Sequence, residues 1–224
     1  MTPDISARRI GGDRQPVVTI DGFHPDPDGV RRAALAATYD AGRHHYPGVR
    51  APLPEDYFDA VRPALGLVLR EVFGAASIAL IDASFSIVTT PPAALGVAQR
   101  IPHVDAVDAD RIALVHYLSP EGGDGTAFYR HRATGFETID AARGPGYGAT
   151  LQRELAGYTP PPAYIASDTP LFERIGGIEA RFNRAVVYRS AMLHSGAIAP
   201  DATLSDDPAR GRLTVTAFLR AVPA

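Results

Sequence analysis

Apolar residues recur in two rhythms along the chain, helical in the first third and strand-like afterwards. After a polar leader, "PVVTID" reads as a short strand, and the "DPDG" turn opens a helix through "VRRAALAATYD" with Asp26 or Asp28 as its N-cap. The segment "PEDYFDAVRPALGLVLREVFG" has apolar residues at helical spacing, and Pro63 inside it predicts a kink or a break into two helices. From Ser77 the rhythm changes. "SIALIDASFSIVTT" is rich in β-branched and aromatic residues and ends in a "PP" turn signal. "RIALVHYLS", "TAFYRH", "RAVVYRSAMLHSGAI" and "RLTVTAFLRAV" continue the series as strands bounded by glycine, proline and aspartate. Residues 133–170, rich in glycine and proline with scattered tyrosines, read as a long loop: a lid, a binding loop or a disordered excursion. Helices followed by many short strands predict one α+β domain over residues 1–224. Its helical scaffold would lie at about 25–75 and a β-sandwich or barrel core at about 77–222.

Composition narrows the chemistry. The 224 residues are 46% hydrophobic and 21% charged, with a net charge of -3, which argues against a general nucleic-acid or polybasic membrane surface. Small polar metabolites or proteins are the expected partners. No apolar run reaches membrane-span length and the first residues lack the apolar stretch of a signal peptide, so the expected compartment is the cytoplasm. With no cysteine there is no thiolate nucleophile, iron-sulfur cluster or cysteine zinc site. Any metal must be held by His, Asp or Glu. All 22 Lys+Arg residues are arginine, which fits codon bias and carries no functional weight.

"IPHVD" places His103 and Asp105 two residues apart, a spacing that on a strand turns both side chains to one face. "FHPDP" offers His24 and Asp26 at the same spacing, but at a proline-stiffened helix entrance where capping explains the aspartate. His194, in "MLHSG", supplies a second histidine far downstream. Two histidines and one carboxylate are the donor set of a facial triad, which leaves coordination positions open on non-haem Fe(II). A 2-oxo acid cosubstrate would fill two of them, and Arg212 or Arg210, in "ARGR", could pair with its remote carboxylate. By strand parity His116 points away from Ala113, Val115 and Tyr117 and is not counted as a ligand. Arg130 and His131, with Arg132, follow a strand as either a solvated basic loop or a grip on an anionic substrate group. His44 and His45 read as surface turn residues. No Walker or dinucleotide loop and no Ser-His-Asp motif is present.

The ordered set "PHVD…RIALVHYLSPEGGDGTAFY…RAVVYRSAMLHSG…GRLTVTAFL" resembles the prolyl-hydroxylase-like branch of the Fe(II)/2-oxoglutarate-dependent oxygenases, over roughly residues 85 to 220. More narrowly, the "GTAFYRH" and "FNR" elements look like an uncharacterised bacterial family of similar length. The resemblance implies a double-stranded β-helix (jelly-roll or cupin-like) core. It implies iron ligation by His103, Asp105 and His194, and a salt bridge from Arg212 to the distal carboxylate of 2-oxoglutarate. Tyr117 would donate a hydrogen bond there, with Thr126 and Val115 lining the same pocket. The implied reaction uses O2 to hydroxylate an unactivated carbon of a small molecule or peptide. The retained Asp105 separates the chain from halogenases, which vacate that position for chloride. Two alternatives stay open: a catalytically silent β-helix that binds a ligand or partner, and a cupin-like metalloenzyme that does not use 2-oxoglutarate.

Overall fold

A computed structural model describes residues 2–41, 46–121 and 123–223. In chain order its elements are β1 (Asp4–Ile10), β2 (Gln15–Asp21), α1 (Pro27–Ala36), β3 (Gly48–Ala51), α2 (Tyr57–Glu71) and β4 (Ala75–Val88). Two 3-10 turns at Pro92–Ala94 and Val97–Arg100 follow, then β5 (Arg111–Tyr117), β6 (Gly123–His131), α3 (Gly144–Gly157), β7 (Phe172–Ala180), β8 (Arg184–Arg189), β9 (His194–Gly196) and β10 (Leu213–Pro223). α1 starts as expected: Pro27 opens it and the Asp26 carboxylate accepts from the Gly29 amide at 2.9 Å. α2 differs from expectation, for it runs unbroken through Pro63. Pro63 lies on the exposed face, where water can satisfy the Asp59 carbonyl that loses its helical donor.

The strands form a seven-stranded sheet, ordered β1-β2-β8-β5-β10-β4-β3, and a three-stranded sheet, ordered β7-β6-β9, with antiparallel pairing throughout. Strand alternation gives the large sheet two working faces. Ile112 and Leu114 of β5, Ala185 and Val187 of β8, and Val215 and Ala217 of β10 pack with Val61, Leu65 and Leu69 of α2. The intervening residues, Ala113, Tyr117, Val186 and Tyr188, pack with Phe128, Ile178 and Met192 from the small-sheet side. Helices therefore cover one face and the small sheet the other.

This arrangement corrects the double-stranded β-helix expected from the resemblance. Both sheets are open: β1 and β3 remain edges of the large sheet, β7 and β9 edges of the small one, and among the described residues no strand ladder joins the two sheets into a barrel or jelly roll. On the β8 side the hairpin of β1 and β2 extends the large sheet, and its edge strand meets β7 through side chains only, Arg8 donating to the Gly177 carbonyl and Ile10 lying on Gly176, so among the described residues no backbone ladder closes the two sheets there. The polar leader is itself an edge strand, and its exposed arginines, Arg8 and Arg9, suit an edge that must not pair with another chain. The 133–170 segment also departs from the loop reading, since it contains α3. Pro145 suits the first turn, and Tyr147, Leu151 and Leu155, spaced four apart, pack against Tyr129, Phe172 and Ile165. Among the described residues no helix is long and apolar enough to cross a membrane.

Candidate metal centre

His103 and Asp105 lie in the loop before β5, not on a strand, and backbone bonds fix them in place. The His103 amide donates to the His194 carbonyl and the His194 amide to that of His103, both at 2.9 Å, while the Asp105 amide donates to Ser190 at 2.9 Å. β9 carries His194 beside Phe128 of β6. One ligand atom from each of His103, Asp105 and His194 lies within 4.8 Å of the others. Asp105 Oδ1 is 3.7 Å from His103 Nε2, and its Oδ2 is 3.5 Å from His194 Nε2.

Protonation explains what this cluster is for. His194 Nδ1–H donates to the Met192 carbonyl at 2.8 Å, so its Nε2 presents a lone pair to the cluster. Burial pushes the His194 pKa down to about 4. His103 is also pushed down to about 4, by burial and then by His194, with Asp105 opposing; its side chain is 53% accessible only because it opens into a cavity. Burial pushes Asp105 up to about 6, opposed by the charges of His103, Arg111 and Arg50. Its Oδ2 is buried without a hydrogen-bond donor. Two neutral imidazoles and an under-satisfied carboxylate thus converge, and a divalent cation would satisfy all three.

The cluster opens on a cavity of about 1030 Å³ between the second face of the large sheet and the small sheet. Val115, Thr214, Thr216 and Phe218 form its floor, and Thr126 and Gly196 its opposite wall. Tyr188 stands beside the triad, its ring edge-on to His194 at 4.9 Å.

Residues 1–219 match the family of unknown function DUF6445. The chain belongs to that family. No curated protein matches it. This DUF6445 chain carries a two-histidine, one-carboxylate triad of the kind found across the broad Fe(II)-oxygenase superfamily, and a buried triad of that kind supports a metal-dependent catalytic site.

Other sequence candidates separate clearly in the DUF6445 structure. Arg212 lines the cavity, donates to the Gly125 carbonyl at 2.9 Å and lies over the Tyr117 ring at 5.7 Å; Arg210 is exposed and absent from the lining. Val115 and Thr126 line the cavity too. Tyr117 lies beneath, fully buried, with its hydroxyl 2.7 Å from Thr126 Oγ1. Arg130 and His131 are not brought to the cavity. Arg130 pairs with Glu137 and Glu173, and His131 is buried between Thr134 and Glu154. Arg132 pairs with Asp168 on the surface. His24 and Asp26 form the helix entrance, and His116 sits on the helix-covered face bonded to Tyr57 and Asn183. His44 and His45 lie outside the described residues. Sequence reading missed Arg50, Arg111 and Tyr188, which also line the cavity. Strand parity could have found Arg111, which shares a face with Ala113 and Val115; Arg50 sits on β3, which gave no strand signal.

Proposed function

We propose that this chain is an Fe(II)- and 2-oxoglutarate-dependent dioxygenase that hydroxylates an unactivated carbon of a small molecule or peptide. The observation that carries the reading is the buried triad, with its unsatisfied Asp105 oxygen and the His194 tautomer set by Met192. His103, Asp105 and His194 would hold the metal. Bound there, Fe(II) with 2-oxoglutarate and O2 supplies an oxidant for C–H bonds. The remaining work belongs to the chain. Arg212, fixed over Tyr117, would pair with the distal carboxylate of 2-oxoglutarate, with Thr126 and Val115 beside it. Val115 and Phe218, the apolar part of the floor, would orient the substrate carbon and exclude water. Helices and sheets would act as one unit over residues 1–224, since the large sheet bears both the helical layer and the cavity floor.

Anaerobic addition of Fe(II) and 2-oxoglutarate to metal-free protein should give a visible charge-transfer band, lost in His103→Ala and Asp105→Ala. Absence of the band at any metal loading would sink the proposal. Arg212→Ala should weaken 2-oxoglutarate binding about tenfold to a hundredfold, the worth of a charge-assisted pair. Unchanged affinity in that variant would move the carboxylate contact elsewhere.

A further inference from the structure

The cavity holds more positive charge than the triad and a single cosubstrate use. Three guanidinium groups, Arg50, Arg111 and Arg212, line it against two carboxylates, Asp82 and Asp105. Asp105 is committed to the triad. Arg212 stands at one end, beside Gly125 and over Tyr117. Arg111 begins β5 at the other end, with ~20 Å of strand between it and Tyr117 at the usual rise per residue. The triad lies between them: Tyr188, edge-on to His194, pairs with Ala113, and Ser190 bridges the backbones of Asp105 and Arg111. A cosubstrate reaching from Arg212 to the triad therefore leaves Arg111 beyond the metal.

Arg111 and Arg50 are poorly satisfied where they stand. Each has a buried Nε with no hydrogen-bond acceptor. The Arg111 guanidinium lies over the Phe218 ring at 5.1 Å, and the acid its charge acts on is Asp105, which the triad shares. Arg50, whose side chain is only 14% exposed, lies over the Tyr46 ring at 4.8 Å and meets Asp82 at 3.5 Å, a long contact to a carboxylate that is 47% exposed. Arg50 itself pairs with Ser86, level with Thr214 at the Arg212 end, and its reach to Asp82, which pairs with Phe218, carries the head group along β4 toward the Arg111 end. Donors of this kind cost free energy when buried without an acceptor, and planar guanidinium forks fit a carboxylate. The walls around them, Ile81, Val97, Val104 and Phe218, are apolar.

From this we infer that the primary substrate is an apolar carboxylic acid whose carboxylate is held by Arg111 and Arg50, so that the carbon presented to the triad belongs to its hydrocarbon part. The inference rests on the reading of the triad as the metal site. Arg111 and Arg50 fix which end of the substrate faces the metal.

Calorimetric titration of the purified, metal-free protein with 3-phenylpropionate and hexanoate, each against its carboxamide, and with inorganic phosphate, reads the site without turnover. The acids should bind at least tenfold more tightly than the amides and should not be displaced by saturating 2-oxoglutarate. Arg111→Gln and Arg50→Gln should each remove most of that preference, with Lys at either position restoring part of it. Arg212→Ala should leave it intact. Equal binding of acid and amide overturns the inference, as does binding of phosphate alone. So does an acid preference that survives both Gln variants, disappears only with Arg212→Ala, or is competed away by 2-oxoglutarate. If a Gln variant does not fold by circular dichroism, the Lys variant decides: full acid preference there together with loss in Arg212→Ala overturns it. An acid preference that persists in a protein showing no iron charge-transfer band separates failure of the metal reading from failure of this one.

Discussion

His116 is buried with its Nδ1 2.9 Å from the Tyr57 hydroxyl and its Nε2 3.0 Å from Asn183 Oδ1. A neutral ring that donates from Nε2 and accepts from Tyr57 satisfies both contacts. Burial pushes its pKa down to about 3, with His24 also lowering it and the Asn183 bond opposing. Between about 3 and the ordinary 6.5 the unfolded chain therefore binds a proton that the native ring refuses. Stability rises with pH across that window and is lost as pH falls through it. His103 and His194, both at about 4, act in the same direction in the metal-free protein, while Asp105, raised to about 6, opposes them between its unfolded value and 6. Denaturant midpoints should fall as pH drops from 6.5 toward 4. His116→Gln should flatten that slope by about one proton, or ~1.4 kcal/mol per pH unit. An unaltered slope would show that His116 takes up its proton in the native state. At this scale the sequence is readable where strand parity applies: parity turns His116 from the pocket, and it puts Arg212 on the face of Thr214, Thr216 and Phe218, all of which line the cavity. It was unreadable for Asp105, whose missing donor depends on neighbours from distant segments.

Among the elements, α3 shows how local signals can conceal a helix. Gly144, Pro145, Gly146 and Gly148 mark its first turn as a breaker, yet Tyr147, Leu151 and Leu155 keep a one-faced spacing that only packing against the small sheet rewards. The helix also carries Glu154, whose carboxylate meets buried His131 Nε2 at 2.7 Å. Removing that acceptor with Glu154→Ala should cost ~1–3 kcal/mol in urea unfolding, the penalty for a buried group left unpaired, with metal affinity unchanged. Leu151→Asp should raise hydrogen exchange across 144–157. Protection equal to the parent would mean that α3 holds without its apolar face. β1 and β3 escaped notice for the opposite reason: an edge strand needs apolar residues on one side at most, and β3 spans only Gly48–Ala51.

At the level of the whole molecule, β2, β4, β5, β6 and β10 are legible as strands, β8 and β9 read as one run, β7 joins β1 and β3 among the strands the pattern does not mark, and closure is not legible at all. The period-two pattern marks which residues face a core, but the pairings that decide between barrel and open sheets are contacts between distant strands, β2 with β8 and β10 with β4 and β5. The triad crosses these distances and is held by backbone bonds that need no ion. Chelation should therefore leave circular dichroism unchanged, while metal at a hundredfold excess over its dissociation constant adds ~2.7 kcal/mol to unfolding. Loss of secondary structure on chelation would contradict this. The mutual amide bonds of His103 and His194 have another consequence, for the site's choice of ion. A rigid seat of two nitrogens and one oxygen, with no sulfur, is set by shape before any cation arrives, and the Irving–Williams order then ranks copper, nickel and cobalt above ferrous iron. For an ion held there, supply in the surroundings would decide which one fills the site, and the tightest occupant need not be the one that works.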